Sequence, residues 1–153
     1  MDDLRRRRKA AVEMLDAGRV EDALVELKKL KSEAPEDMLV LSYLGLALAR
    51  EGADTGRAIE ACSKAAQIEF FRPECFLNMA KVYLQLGKKP QAIEAIYKGL
   101  TVDPEHDELR QLAYSLGIRR KPALGFLPRN HPVNKWIGRL TWWLSGESHA
   151  SAG

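Results

Sequence analysis

Residues 73–106 read PECFLNMAKVYLQLGKKPQAIEAIYKGLTVDPEH and contain two amphipathic helix patterns in succession. In each pattern the apolar residues recur at three- and four-residue spacing, as one face of a helix requires. They are Phe76, Met79, Ala80 and Tyr83 in the first, and Ala92, Ile93, Ile96 and Leu100 in the second. Gly87 separates them, at a point where a residue with positive φ can end a helix. The stretch therefore predicts a helix–turn–helix unit that ends at Pro104.

The same arrangement occurs twice more, towards the N-terminus. In each unit a glycine precedes an alanine by five or six residues, and the pairs are Gly18 and Ala23, Gly52 and Ala58, and Gly87 and Ala92. The alanines are 35 and 34 residues apart, and self-similarity at about 34 residues is typical of solenoids of paired helices. We divide the chain into units 4–37, 38–72 and 73–106, followed by a capping helix over 106–118 that covers the last apolar edge.

Small residues are predicted where the two helices of each unit meet. Ala11, Gly45 and Ala80 lie on the first helices and face Ala23, Ala58 and Ala92 on the second helices. Small side chains at facing positions allow two helix axes to approach to about 8 Å. A larger residue at any of these positions would overpack the pair.

This pattern resembles the tetratricopeptide repeat family, with three tandem repeats over about 105 residues. The third unit matches at Phe76, Met79-Ala80, Tyr83, Gly87, Ala92, Ile96, Gly99 and Pro104. The second matches at Leu41, Leu44-Gly45, Leu48, Gly52, Ala58, Cys62 and Ala65, but has Phe70 in place of the terminal proline. The first matches at Met14, Gly18, Ala23, Leu27, Leu30 and Pro35, and has Arg7 at the position of a large residue. The resemblance implies an all-α, right-handed α-solenoid of antiparallel helix pairs.

Composition and charge exclude several function classes. The chain has 153 residues and a formal net charge of +3. The cations Arg5 to Lys9 begin the first helix without interleaved aromatic residues, so we expect no nucleic-acid partner. No apolar segment follows them as a secretory signal would require, and none reaches the length of about 20 residues that a membrane span needs. We therefore predict a cytoplasmic protein.

No residue pattern indicates an enzyme. The histidines and carboxylates lack metal-ligand spacing, and the chain has no glycine-rich phosphate loop or nucleophile motif. Cys62 and Cys75 have no CxxC spacing and are interpreted as small core residues. We predict a non-enzymatic protein without cofactor or bound metal.

The resemblance implies that one stripe of each first helix lines a concave groove. By register, the groove residues are Arg8, Val12, Leu15, Ser42, Tyr43, Leu46, Arg50, Leu77, Asn78, Lys81, Leu84 and Gln85. Such a stripe, apolar with three cations, suits an amphipathic or extended peptide with some acidic character. The alternative is that several of these leucines belong to the core. Some members of the family bind the C-terminal carboxylate of a chaperone with a clamp of basic and amide side chains. The positions that match this clamp hold Arg8, Val12, Tyr43, Glu74 and Asn78. Only Arg8 could serve and Glu74 would repel a carboxylate, so this role is excluded.

The C-terminal segment breaks the repeat pattern. Residues 119–132 contain three prolines and predict a basic extended arm. Residues 133–144, VNKWIGRLTWWL, predict a short amphipathic helix, and residues 145–153 predict a disordered tail. The interaction residues of this helix are Trp136, Ile137, Leu140, Trp142 and Trp143. Three roles remain open: packing on the solenoid, binding a partner or a second copy, and peripheral contact with an anionic membrane.

These patterns favour a protein–protein interaction adaptor that binds a peptide or helix of a partner in its concave groove. The alternative is a peripheral membrane-associated assembly factor, recruited by the basic, tryptophan-rich helix. The fold does not identify the partner, because one scaffold serves many functions.

Overall fold

Seven α-helices follow one another in a computed structural model that describes residues 2–118. They are α1 (Asp2–Asp16), α2 (Val20–Glu33), α3 (Met38–Glu51), α4 (Thr55–Ile68), α5 (Pro73–Gln85), α6 (Lys89–Val102) and α7 (Asp107–Ser115). Each predicted unit contains two of them, and α7 lies within the predicted capping segment. The predicted arm, tryptophan-rich helix and tail lie outside the described residues.

The helix boundaries follow from local chemistry. Gly52 has φ +82° and its N–H donates to the carbonyl of Leu48, so α3 ends in the left-handed conformation that glycine adopts without strain. The Asp37 side chain accepts a hydrogen bond from the Val40 N–H at 3.0 Å and caps the N-terminus of α3. Asp54 caps α4 in the same way through the Arg57 N–H, at 2.9 Å. The segment from Gly52 to Ala58 is one residue longer than the corresponding segments of the other two units. The turn that contains this additional residue ends in the Asp54 cap.

Neighbouring helices pack as a solenoid requires. The helices of each unit pack against each other as α1–α2, α3–α4 and α5–α6, and the units join through contacts of α3 with α1 and α2 and of α5 with α3 and α4. Helix α7 packs against α6 and α5 and so closes the last unit. All regular secondary structure in residues 2–118 is helical. The predicted all-α solenoid with a capping helix is confirmed.

Small residues permit the close approach of α3 and α4, as predicted. A Cβ added at Gly45 would lie 2.6 Å from the Sγ of Cys62 and 2.9 Å from the carbonyl oxygen of Ala58. Ala58 is fully buried opposite it. The contact includes backbone, so neither helix can move aside cheaply. In the other two helix pairs the small residues are likewise fully buried, namely Ala11 and Ala23 in α1–α2 and Ala80 and Ala92 in α5–α6.

Arg7 occupies the position at which the family pattern has a large residue, and it forms an ion-pair cluster with Glu26 and Glu33. Its Nε donates to Glu26 Oε1 at 2.6 Å, and its two terminal nitrogens bind the carboxylate of Glu33 at 2.6 and 3.1 Å. The fork of a guanidinium matches a carboxylate in this bidentate geometry. Arg7 therefore ties α1 to α2 by charge, where the other units use apolar packing.

Candidate partner-binding surface

The helices of the structure form two layers. Helices α1, α3, α5 and α7 contact one another in succession, and we call them the inner helices. Within the described part of the chain, α2, α4 and α6 make no contact with one another, and we call them the outer helices. In a curved stack the layer whose members lie closest together is on the concave side. These contacts favour the inner helices as the lining of the expected concave surface.

Five of the twelve predicted groove residues are buried. The exposed fractions are 1% at Leu15, 0% at Ser42, 4% at Leu46, 4% at Leu77 and 1% at Asn78. These side chains face neighbouring helices, so for them the core alternative describes the structure better than direct contact with a partner. The reason is that an inner helix buries one side against the next inner helix and another against its outer partner. Only a narrow strip is left for a ligand.

Three of the remaining groove residues form that strip. Val12, Tyr43 and Leu84 are half-buried, and Gln85 is exposed. They lie on α1, α3 and α5, and Leu46 and Leu77 lie buried on the last two of these helices. We call Val12, Tyr43 and Leu84 the inner strip. It offers apolar contact and one phenolic hydroxyl.

The three predicted groove cations are already paired within the chain. Arg8 donates to Asp37 Oδ2 at 2.6 Å and joins α1 to the start of α3. Arg50 donates to the backbone carbonyl of Leu15 and lies 4.0 Å from the carboxylate of Asp16. Lys81 is 3.0 Å from Glu108 Oε2 on α7.

These ion pairs bear on the acidic character that was expected of the partner. Asp37, Asp16 and Glu108 neutralise the cations that were expected to attract an acidic peptide. An acidic ligand would compete with these carboxylates for the same cations, which reduces its electrostatic gain. The acidic character expected of the partner stays a prediction, and these pairs weaken the argument for it. Sequence alone did not show these carboxylates as partners, because each of them is distant along the chain from the cation that it pairs with.

The hydroxyl of Tyr43 remains protonated. Burial, reinforced by the carboxylates of Glu74 and Glu108, raises the pKa of Tyr43 to about 12, and Arg8 opposes the rise. The phenol is therefore a neutral hydrogen-bond donor at physiological pH. In the middle of the inner strip, such a donor suits a backbone carbonyl of a bound segment.

The two cysteines are buried free thiols in the core, as predicted from their lack of CxxC spacing. The Sγ of Cys62 donates to the backbone carbonyl of Ser42 at 3.2 Å. Burial raises the pKa of Cys62 to about 12 and that of Cys75 to about 11. Both are therefore thiols rather than thiolates at neutral pH.

Two further observations concern residues 2–118 only. No three side chains among their His, Cys, Asp and Glu residues gather in a group that could hold a metal ion. None of their helices combines the length and the apolar character that crossing a bilayer would need. The predicted tail residues Trp136, Ile137, Leu140, Trp142 and Trp143 lie outside this part of the chain.

An exposed apolar cluster at the end of α4 and in the turn that follows it was not predicted from the sequence. Ile68, Phe70 and Phe71 are 51%, 67% and 59% exposed. The rings of Phe70 and Phe71 meet edge to face, with centroids 5.8 Å apart and an interplanar angle of 85°. The available signal was the Phe-Phe pair at the point where the other two units have a proline.

The fold is similar to that of PcrH, which was crystallised in complex with the chaperone binding region of PopB. The TM-score is 0.60 and the sequence identity is 22%, over 76% of this chain and 95% of that chain. No protein-family model matches the chain, and no curated protein matches its sequence. At this identity the likeness establishes the helical-repeat fold.

Proposed function

We propose that this protein is a non-enzymatic scaffold that binds a segment of a partner protein across the inner strip. The observation that carries the proposal is the position of Val12, Tyr43 and Leu84. They are half-buried on three successive inner helices, so one extended or helical segment could contact all three. The buried leucines beneath them fix the spacing of the helices and so preorganise the surface.

The chemistry of the strip favours a partner with apolar anchors. Arg8, Arg50 and Lys81 are neutralised by carboxylates of the chain itself, so long-range charge contributes little to selection. Apolar burial contributes roughly 25 cal/mol for each Å² removed from water. The Tyr43 hydroxyl adds a directional contact with a backbone or side-chain acceptor.

The fold similarity is consistent with this function. PcrH was crystallised with a region of another protein bound to it, so a solenoid of this kind can hold a partner segment. The identity of the segment bound here is left to experiment, because a shared fold does not transfer a ligand.

A photo-crosslinking experiment tests the proposal directly. A photoreactive phenylalanine analogue replaces Tyr43 in the full chain, and the chain is irradiated in its native host. The matched control carries the same analogue at Tyr114, which is 66% exposed on α7. We expect a discrete crosslinked partner at position 43 and none of that mass at position 114. Equal crosslinking at both positions, or crosslinking at 114 alone, contradicts binding at the inner strip.

A loss-of-binding variant complements the crosslink. Tyr43→Ala removes the phenol and leaves the buried leucines intact, whereas Val25→Ser changes a side chain that is 55% exposed on the outer helix α2. We expect the first to weaken capture of the crosslinked partner at least tenfold, or about 1.4 kcal/mol, and the second to leave it unchanged. Thermal unfolding of both variants verifies that the fold is intact.

A further inference from the structure

A cleft of about 400 Å³ opens on the opposite, outer side of the solenoid. It separates the outer helices α4 and α6, and three side chains of α5 form its apolar floor: Phe76, Met79 and Tyr83. The α4 wall includes Ser63, Ala66 and Gln67, and the α6 wall includes Gln91, Glu94, Ala95 and Lys98. We call it the outer cleft. It exists because α4 and α6 each pack on α5 and, among the described residues, not on each other.

The exposed apolar cluster follows the wall of this cleft directly. Ala66 and Gln67 line the outer cleft, and the next residues along the chain are Ile68, Glu69, Phe70 and Phe71. We call Ile68, Phe70 and Phe71 the aromatic turn. Aromatic rings more than half exposed and adjacent to one another are unusual on a monomer and mark contact surfaces. A projecting apolar group and an apolar depression thus occur next to each other.

An ion pair lies at each of the two features. At the outer cleft, the Lys98 ammonium lies 2.7 Å from the carboxylate of Glu94. At the aromatic turn, Arg72 forms an ion pair with Glu69. Two copies of a chain with net charge +3 repel each other in general. The charged residues that line the two features are thus paired, which reduces the repulsion between like copies at this face.

We propose that two copies of this chain associate through this face, each placing its aromatic turn in the outer cleft of the other. A surface that carries both the projecting group and its receptor is self-complementary, as a two-fold symmetric interface requires. A cavity of about 150 Å³ is enough to hold benzene, so 400 Å³ accommodates the two phenyl rings of one turn. The inner strip lies on the other side of the solenoid and stays available to a partner in this dimer.

The oligomeric state of the full chain tests the proposal. Sedimentation velocity over a concentration series should show a monomer–dimer equilibrium. Phe70→Ser/Phe71→Ser removes the projecting group, and because both residues are exposed the variant keeps its fold. Gln67→Glu/Gln91→Glu adds two carboxylates to the cleft walls, again at exposed positions, and the entry of phenyl rings would have to desolvate them. Each double variant should weaken the dimer at least tenfold.

Mixing the two double variants provides the discriminating result. The turn of the Gln67→Glu/Gln91→Glu chain is intact, and so is the cleft of the Phe70→Ser/Phe71→Ser chain. With one of them labelled, fluorescence-detected sedimentation should show a heterodimer that is tighter than either homodimer and weaker than the unaltered dimer. An interface elsewhere on the chain would not produce this order of affinities.

Three outcomes overturn the proposal, in addition to the control result given below. They are an unaltered chain that stays monomeric up to about 1 mM, a dimer that survives Phe70→Ser/Phe71→Ser, and a mixture without heterodimer. The control variant Val25→Ser/Tyr114→Ser removes two exposed apolar side chains elsewhere, and an equal loss of dimer in it also counts against the proposal. None of these results bears on crosslinking at Tyr43, so the proposed function is tested separately.

Discussion

The side-chain amide of Asn78 on α5 donates a hydrogen bond to the hydroxyl of Ser42 on α3, with Nδ2 and Oγ 3.1 Å apart. Both residues are fully or almost fully buried. The backbone carbonyl of Ser42 accepts a second hydrogen bond, from the thiol of Cys62 on α4. One residue thus connects three helices of two consecutive units. A directional polar contact of this kind fixes the register of the helices more sharply than apolar packing does.

The stability losses from removing the two members of the Ser42–Asn78 pair should not add. Ser42→Ala leaves the buried amide of Asn78 without this acceptor, and we expect a loss of about 1–3 kcal/mol in the free energy of unfolding. Asn78→Leu similarly strands the hydroxyl. The double variant should lose less than the sum of the two. Urea denaturation of the four proteins measures the coupling, and strictly additive losses would show that the hydrogen bond does not hold the two helices together.

Gly45→Ala should destabilise the second unit. The new Cβ would lie 2.6 Å from Cys62 Sγ and 2.9 Å from the Ala58 carbonyl oxygen, so α3 and α4 must separate. Overpacking of this kind costs about 1–3 kcal/mol. The control is Gly56→Ala in the first turn of α4, where the nearest atom is 3.6 Å away. There we expect stabilisation of roughly 0.4–1 kcal/mol. Equal thermal midpoints for the two variants would refute the close approach.

The Arg7 ion-pair cluster should make stability depend on pH. The hydrogen bond from Arg7 lowers the pKa of Glu33 below its ordinary value of 4.5. Because the pKa is depressed in the folded state, this contribution is fully present above pH 4.5 and is lost as the pH falls through the folded pKa. The stability difference between the unaltered chain and Arg7→Met should therefore shrink below pH 4.5.

Arg6→Met is the matched control for this prediction. Arg6 pairs with Asp3 at 2.6 Å, but its side chain is 81% exposed. Exposed pairs contribute little, typically 0.2–1 kcal/mol. Denaturant titrations from pH 3 to pH 7 compare the two variants. If Arg6→Met lost as much stability as Arg7→Met, the cluster between α1 and α2 would have no special role.

The two thiols should be unreactive in the folded protein. The reactive form is the thiolate, and the pKa values of about 12 for Cys62 and about 11 for Cys75 leave almost none of it at pH 8. A chromogenic disulfide reagent should therefore react with neither thiol in native buffer and with both in concentrated denaturant. Rapid modification of the native chain at pH 8 would show that α3, α4 and α5 open more easily than their packing indicates.

The repeat pattern could be predicted from sequence because its signals are local. The periodic apolar residues of 73–106, the glycine turns and the small residues at 45 and 58 each act within one helix pair, and the structure has helices and close contacts at these positions. Register was less informative about which groove residues are accessible, because the residues of one helix stripe can contact the next inner helix, the outer helix or solvent. Register alone could not show that Ser42 and Asn78 face each other in the core, whereas Tyr43 beside them stays half-buried.

The amino-acid sequence by itself determined that this chain forms helix pairs in tandem, since helix periodicity, turn glycines and small contact residues operate over a few residues. Only the tertiary structure decided which side chains remain available to a partner. The pairing of Arg8 with Asp37 and of Lys81 with Glu108 joins residues 29 and 27 positions apart. The outer cleft between α4 and α6 also depends on tertiary structure, because α5 determines the positions of both helices. Such relationships follow from the angles at which helices pack, and those angles are set by the whole stack.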